Sequence, residues 1–281
     1  MRLRVACALL TLLALAYPAA AQQRPLVTQD PEPIGAGRIL IEGGIAYSAA
    51  ERYPVSGLQG NLWQIPTVGV SIGISSIAEF QVDGGFLDRL TITDRTPAPL
   101  SSLLTVAGNT THDVEDFVVA TKIRLLPESP RHPALAVRVA TKLPNGSNEN
   151  GITLDTTDFH AALLGAKTVQ SVRIVGNLGV GLLSAPSVIG GQNKVLTYGA
   201  SFARAITDHA EFVGEINGRW STRNAGPFPG TETRSLLDLG GRYTRGSLRL
   251  DAGVLFGLTT IDPTIGFTTG FTYVFNAFQV P

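Results

Sequence analysis

The sequence has little charge and no excess of either sign. Charged residues make up 16% of the 281 residues, and 22 Lys and Arg balance 22 Asp and Glu. Soluble proteins carry about 25% charged residues. Without a basic surplus, nothing points to nucleic acid as a partner, and no acidic run indicates a solvating tail.

Cysteine is nearly absent. Cys7 is the only one, and it precedes the short apolar run at residues 8–17. A lipoprotein cysteine would follow such a run, so this reading is disfavoured. Since Cys7 lies in a predicted signal peptide, the mature chain would have no cysteine, and its stability would not come from disulfides.

The N-terminus has the pattern of a cleaved signal peptide. Arg2 and Arg4 precede the apolar run, and Ala19–Ala21 match the small-residue cleavage pattern, so the predicted signal peptide spans residues 1–21. A membrane anchor is the alternative, but the run is too short to cross ~30 Å of hydrocarbon. Residues 22–36 are polar and Pro-rich, which predicts a disordered lead-in.

Long apolar runs are also missing, and residues 37–281 instead show a period of two. No later window holds ~18 consecutive apolar residues, the length of a transmembrane helix. In 211–220, for example, polar positions alternate with positions that are apolar or Gly. Successive side chains leave a strand on opposite faces, so this period predicts strands. Twelve are expected, at approximately 38–49, 62–74, 78–92, 115–126, 133–143, 157–167, 171–183, 194–206, 210–221, 233–245, 247–258 and 264–276.

The connections between these strands alternate in length. Those after even-numbered strands are short, whereas those after odd-numbered strands are mostly long and polar, such as 50–61, 93–114 and 144–156. Outer-membrane barrels have short periplasmic turns and longer outer loops. The predicted fold is therefore all-β, a single antiparallel up-and-down transmembrane β-barrel of about 12 strands in a Gram-negative outer membrane. A soluble exported sandwich is the alternative, but it does not account for this loop rhythm.

The last predicted strand is rich in aromatic residues on one face. Phe267, Phe271, Tyr273 and Phe275 alternate with small or polar residues, and Phe278 follows. This resembles the C-terminal signal that outer-membrane barrels present to the barrel assembly machinery. The signal aromatic is usually the last residue, whereas three residues follow Phe278 here. Aromatic residues at the membrane interface would give the same pattern.

Three consecutive segments resemble a known family. They read DVEDFVVATKIRLLPES (113–129), HPALAVRVATKLPNGSNENG (132–151) and TTDFHAALLGAK (156–167). The pattern is similar to the outer-membrane barrels filed as phenol meta-degradation pathway proteins. The family often has Pro-Thr-Gly where this chain has Pro-Asn-Gly at 144–146. The resemblance implies an outer-membrane transporter or channel, with aromatic or otherwise apolar compounds as solutes.

The sequence offers no recognisable catalytic or metal site. The four histidines, His112, His132, His160 and His209, are scattered without metal-ligand spacing. No Gly-x-Ser-x-Gly or His-x-Ser element stands at a strand end, which disfavours a barrel hydrolase. We therefore expect no enzyme activity, no cofactor and no metal.

The polar side of the strands supplies the candidate functional residues. Charges of both signs inside a barrel can pair structurally or form a polarised constriction. His160, beside Asp158, is either part of such a pair or a pH-sensitive contact. The lumen candidates are Asp116, Lys122, Arg124, Arg138, Lys142, Asp158, His160, Arg173, Glu211, Glu215, Arg219, Asp238, Arg242, Arg249 and Asp251.

The sequence thus predicts a passive outer-membrane channel for small molecules. Its partners would be outer-membrane lipid, the assembly machinery and a small solute. The segment 93–114 contains an apolar patch and would either fold into the lumen or stand outside as a surface loop. The alternative is a closed structural or adhesive barrel whose interior is plugged by its own charge pairs.

Overall fold

The computed structural model describes residues 24–223 and 226–279 and consists of β-strands and their connections. The predicted signal peptide lies outside these residues. A single 3-10 turn occupies Asn148–Asn150. The strands are β1 (Arg38–Tyr53), β2 (Leu58–Gly73), β3 (Ala78–Gly85), β4 (Asp88–Arg95), β5 (Thr110–Asp113), β6 (Val118–Leu126), β7 (Ala134–Lys142), β8 (Asp158–Val169), β9 (Val172–Ser184), β10 (Gln192–Ala205), β11 (Ala210–Ser221), β12 (Arg234–Arg245), β13 (Leu248–Gly257) and β14 (Ile265–Asn276).

Twelve of these strands close into an antiparallel barrel, as the sequence predicts. The wall runs in chain order through β1, β2, β3 and β6 to β14, and β1 pairs with both β2 and β14, so no edge is left open. Closure matters because a strand edge in lipid would leave backbone groups without partners. The remaining strands, β4 and β5, extend the outer part of β2. β4 begins where the predicted single strand 78–92 breaks at Phe86 and Leu87, and β5 lies within the predicted loop 93–114.

Alternation along each strand separates an apolar outer surface from a polar lumen. On β11, Phe212, Ile216 and Trp220 are exposed, whereas Val213 and Glu215 between them are buried. A soluble protein rarely exposes so many large apolar side chains around its circumference. A bilayer solvates this band, and the strands of 9 residues or more match the ~9–11 residues needed to cross it.

The two ends of the barrel differ. At the inner end, the connections 170–171, 206–209 and 246–247 are short, and β1 begins where β14 ends. Most connections at the opposite, outer end are long. The predicted long loop 50–61 is wrong, because the β1–β2 ladder continues past bulges to a turn of four residues, 54–57. In the described part of the chain, no helix has the length and apolar character to cross a bilayer.

An apolar cluster lies at the outer end. Four inward side chains of β2 and β4 pack with Tyr53, Leu104, Val106 and Ile152. These four are Leu58, Leu62, Leu90 and Ile92. The segment 93–114 therefore forms part of β4 and β5, and its apolar residues fold back onto the wall.

Outward aromatic rings mark one level of the wall. Tyr47 lies 4.9 Å from Trp63 between ring centroids, and Trp63 lies 5.6 Å from Phe267. These rings stand next to each other on β1, β2 and β14. Aromatic side chains of this kind favour the membrane–water interface, so the cluster forms part of an aromatic girdle.

Candidate functional site: the lumen and its N-terminal segment

A segment of the chain lies inside the barrel. Residues 24–37, here called the N-terminal segment, run from the middle of the lumen to the inner end and continue into β1. The sequence predicts a disordered lead-in over 22–36. The structure describes residues 24–36 of this range, and there they form specific contacts with the wall. The backbone and side chains of the segment bond to β3, β6, β9 and β11. Charged and amide groups on the wall supply the order that the segment's own sequence does not.

Wall carboxylates bind the backbone N–H groups of the segment. The two oxygens of Glu215 accept hydrogen bonds from the amides of Val27 and Thr28, each at 2.7 Å. Near the inner end, Glu79 accepts one from the amide of Ile34, also at 2.7 Å. Bonds from neutral N–H groups to a carboxylate are short and strong. Part of the binding therefore depends on backbone N–H groups, which every residue except proline has, and not on the side chains of the segment.

The carbonyl groups of the segment are bound as well. The Nζ of Lys122 donates to the carbonyls of Asp30 at 2.8 Å and Glu32 at 3.1 Å, and lies 2.9 Å from Glu79 Oε1. Asn177 bonds both backbone groups of Gln29, with Oδ1 accepting at 2.6 Å and Nδ2 donating at 2.8 Å. Lys122 is fully buried, so these oxygens replace the water that its ammonium loses.

Two ion pairs join acidic side chains of the segment to the wall. The Asp30 carboxylate pairs with the guanidinium of Arg173 through both oxygens, and Arg173 also donates to Glu128 at 3.0 Å. Glu32 pairs with Arg124 at 2.5 Å. Bidentate Arg–carboxylate pairs fix geometry as well as charge. Both pairs lie towards the inner end.

The far end of the segment is fixed by Arg24 in mid-lumen. Its guanidinium donates to the hydroxyls of Thr67 and Thr268, each at 3.0 Å, and lies 3.5 Å from Asp251. Gly44 and Gly270 make room for it, because a Cβ at either position would collide with the guanidinium. The contacts of Arg24 thus reach β1, β2, β13 and β14.

Other glycines leave space for the segment along the wall. A Cβ on Gly199 would lie 2.7 Å from Thr28 Oγ1, and one on Gly253 would lie 3.2 Å from Pro25. A glycine inside a strand weakens it and often marks the close approach of another backbone. These glycines form a shallow groove that fits the N-terminal segment.

The outer half of the lumen contains a second set of polar contacts. Lys142 bonds Asp116 at 2.7 Å and lies 3.6 Å from Asp158. Arg219 donates to the carbonyls of residues 230 and 232, and Arg138 donates to Gln81 at 2.7 Å. The contacts of Lys142 and Arg219 tie outer connections to the wall, whereas Arg138 and Gln81 join two wall strands, β7 and β3. His160 lies beside Gly181 on the neighbouring strand.

The remaining candidates lie around the middle and the inner end. Arg249 lies 3.5 Å from Glu211, and Arg242 donates to the carbonyl of Arg24 at 2.6 Å. Asp238 accepts a bond from Asn217 at 2.9 Å. The structure thus brings the fifteen predicted residues to the lumen, as three groups along the axis instead of one cluster. Their role in transport stays a prediction.

Sequence reasoning missed several residues of these contacts. They are Arg24, Thr67 and Thr268 in mid-lumen, and Asp30, Glu32 and the wall residue Glu79 towards the inner end. Glu79 could have been found, because it alternates with Phe80 and Val82 as inward residues do elsewhere. The segment residues carry no such signal, since they follow no period.

A cavity of about 800 Å³ lies at the inner end, below the segment. Its lining combines Leu26, Thr28 and Asp30 of the segment with Arg173 and Arg249 of the wall. The short turns at 168–171 and 207–209 surround it. One side of the segment therefore lines the cavity at the inner end.

Carboxylates accumulate in the outer half. Burial raises the pKa of Glu115, in the connection between β5 and β6, to about 7, and the nearby Asp88, Asp83 and Asp116 raise it further. A neutral acid loses less on burial than a carboxylate does, and like charges favour protonation. Among residues 24–223 and 226–279, no group of His, Asp and Glu has the arrangement of a metal site.

Comparisons with known proteins find the same fold. No protein-family model and no curated protein matches the chain. Among solved structures, it resembles the COG4313 outer membrane channel from Pseudomonas putida F1, with a TM-score of 0.60 and 11% identity over 88% of this chain and 98% of that one. It also resembles the NanC porin, with a TM-score of 0.52 and 9% identity over 86% and 100%. At such low identity the likeness extends to the fold alone, and that fold is the β-barrel of outer-membrane proteins.

Proposed function

We propose that the protein is a channel for small solutes in which the N-terminal segment closes the lumen, and that solutes pass when the segment moves. The observation that carries the proposal is the way the segment is held. It crosses a polar lumen on hydrogen bonds and ion pairs, without joining the β-sheet of the wall. Each such contact contributes only about 0.5–3 kcal/mol net. The contacts are separate from the strand ladder, so release of the segment would leave the barrel wall intact.

The lining of the path supports small polar solutes as the first class to test. Charged groups of both signs line the middle and the inner end, and such rings select ions and small polar molecules. Aromatic or otherwise apolar solutes are the finer proposal. It rests on the family resemblance of residues 113–167 and on the apolar cluster at the outer end.

A reversible disulfide tests whether the segment lies on the path. The Cβ of a side chain at Gly199 would lie 3.5 Å from the Cβ of Thr28, within the range of disulfides. The described residues contain no cysteine, so T28C/G199C would form the one bond available there. We expect the oxidised protein to conduct at least about tenfold less than the reduced one, because the bond prevents release. Planar bilayers and liposome swelling with glycine, glucose and benzoate provide the measurement.

Control variants separate the effect of the disulfide from the effect of the substitutions themselves. T28C alone should be insensitive to oxidant and reductant. If oxidised and reduced T28C/G199C conduct equally, the segment is not on the path. If wild-type protein and an R24A variant pass neither ions nor small organic molecules, the barrel is a closed structural one. Hydrolysis of lipid by the purified protein in detergent would instead identify a barrel enzyme.

A further inference from the structure

The wall groups that hold the N-terminal segment form a site for an extended peptide. We propose that the lumen binds an acidic, proline-containing peptide supplied in trans, in the groove that residues 24–37 occupy. The proposal goes beyond the channel function, because it concerns binding and stands whether or not solutes pass. The segment is then a tethered occupant of a peptide site.

Backbone recognition is the first argument. Glu215 and Glu79 accept three backbone N–H groups of the segment, at 2.7 Å each. Lys122 and Asn177 bind three of its carbonyls, at 2.8–3.1 Å. Peptide-binding sites obtain affinity from main-chain hydrogen bonds of this type and specificity from side-chain pockets. A site that merely packed a loop would not need buried charges aimed at its backbone.

Side-chain contacts define which peptides fit. Arg173 and Arg124 pair with acidic residues spaced two apart, Asp30 and Glu32. Each is followed by a proline, and proline favours an extended conformation in the residue before it. An arginine six residues before the first acid fits the space at Gly44 and Gly270. The ligand class is therefore an extended peptide with Arg, then Asp-Pro-Glu-Pro or a close analogue.

Access from the inner end is the third argument. The cavity of about 800 Å³ reaches the segment from that side and is lined by Leu26, Thr28 and Asp30. Val27 does not line this cavity, although it is 63% exposed. A ligand entering the cavity from the inner end would meet the groove without crossing the barrel. The tethered segment competes with it at an effective concentration on the order of 1 mM.

Binding is measured with a full-length variant whose own segment is weakened. R24A/D30A removes two side-chain contacts of the segment but leaves the wall intact. The probe is a fluorescein-labelled synthetic peptide of residues 24–36, followed by fluorescence anisotropy in detergent. We expect R24A/D30A to bind it at least about tenfold more tightly than wild type, because the peptide restores both lost contacts. Oxidised T28C/G199C should not bind it, since its groove stays filled.

Two altered peptides separate backbone recognition from other binding. Methylation of the Val27 and Thr28 nitrogens removes the donors to Glu215 and should weaken binding by about tenfold or more. Replacement of the exposed Val27 side chain by Ala should change it less than about threefold. Equal affinity for the two peptides would overturn the proposal. The absence of binding to R24A/D30A at about 1 mM peptide would also overturn it, provided that heat-modifiable gel mobility shows that the variant is folded. The disulfide experiment tests the channel function independently of this result.

Discussion

At the scale of single residues, Lys122 has the most demanding environment. Its ammonium is fully buried with Glu79, and two carbonyls of the N-terminal segment complete its bonds. Burying two charges is favourable only when both are well paired and fully bonded. The barrel wall and the segment therefore share one network at this point.

Lys122→Met tests this network. The substitution leaves the Glu79 carboxylate buried without its cation, which costs about 3–5 kcal/mol when one partner of a buried pair is removed. We expect a lower unfolding temperature, read as the loss of heat-modifiable gel mobility in detergent. Arg124→Met is the matched control, since its partly exposed pair with Glu32 should contribute only about 0–1 kcal/mol. Equal stability of the two variants would contradict this account.

The sequence predicts which residues face inward but not what they contact. Lys122, Arg173 and Glu215 alternate with apolar residues, and that period alone assigns them to the lumen. Their partners lie more than 90 residues away, in a segment without any period. Neither propensity nor local spacing carries information about such distant pairs, so the site itself required the structure.

At the scale of elements, the segment and the wall fit each other through glycine. Gly199 on β10 faces Thr28, whose hydroxyl has no hydrogen-bond partner in the described structure. Gly176 lies on the adjacent strand β9, paired with Ala200, and a Cβ there would meet nothing within 4 Å. A methyl group at Gly199 would therefore collide with the N-terminal segment, whereas one at Gly176 would collide with nothing.

Gly199→Ala should loosen the segment without damage to the wall. The added Cβ would approach Thr28 Oγ1 at 2.7 Å and Cγ2 at 3.4 Å, so Thr28 must rotate its side chain or move away. We expect higher conductance in planar bilayers than for wild type, and no change for Gly176→Ala. T28A/G199A should return to wild-type conductance, because the hydroxyl that collides is gone. Failure of this rescue would mean that Gly199 acts through the strand itself.

The elements themselves were predictable where a period existed. The sequence predicts strands at 157–167 and 210–221, for example, and the structure has β8 at Asp158–Val169 and β11 at Ala210–Ser221. The outer ends were less predictable, because bulges carry β1 and β2 beyond the point where the alternation stops. The Pro-rich N-terminal segment gave no local sign of order, since its partners are on the wall.

At the scale of the whole molecule, charge is distributed unevenly along the barrel axis. Carboxylates gather in the outer half around Glu115, Asp88 and Asp83. At the inner end, Arg173 and Arg249 are each close to a carboxylate, Asp30 and Glu211. The formal net charge of zero conceals this local concentration of acidic groups in the outer half. An ion therefore meets a different potential from each side of the membrane.

Glu115 gives this uneven distribution a pH dependence. Burial and nearby carboxylates raise its pKa to about 7, so it is mostly neutral at pH 6 and mostly ionised at pH 8. We expect the preference for K⁺ over Cl⁻, measured as a reversal potential, to rise from pH 6 to pH 8. Glu115→Gln should remove most of that rise. For the same reason the contribution of Glu115 to folding stability should be fully present below about pH 4.5 and be lost as the pH rises through 7.

The matched control for this experiment is a carboxylate at the inner end of the barrel. Glu128→Gln removes a carboxylate in an inner turn, where it pairs with Arg173. It should leave the pH-dependent rise in place. A rise that persists in Glu115→Gln and disappears in Glu128→Gln would assign the pH dependence to the inner end.

The covalent link between the N-terminal segment and β1 at Arg38 has a kinetic consequence. In the proposed channel, closing is a unimolecular event, so its rate should not change with the number of copies in the membrane or with dilution of the preparation. Each barrel carries its own N-terminal segment. A single channel in a bilayer should therefore show the same open and closed dwell times as channels at high density. Only a competitor that reaches the groove should lengthen the intervals between closures.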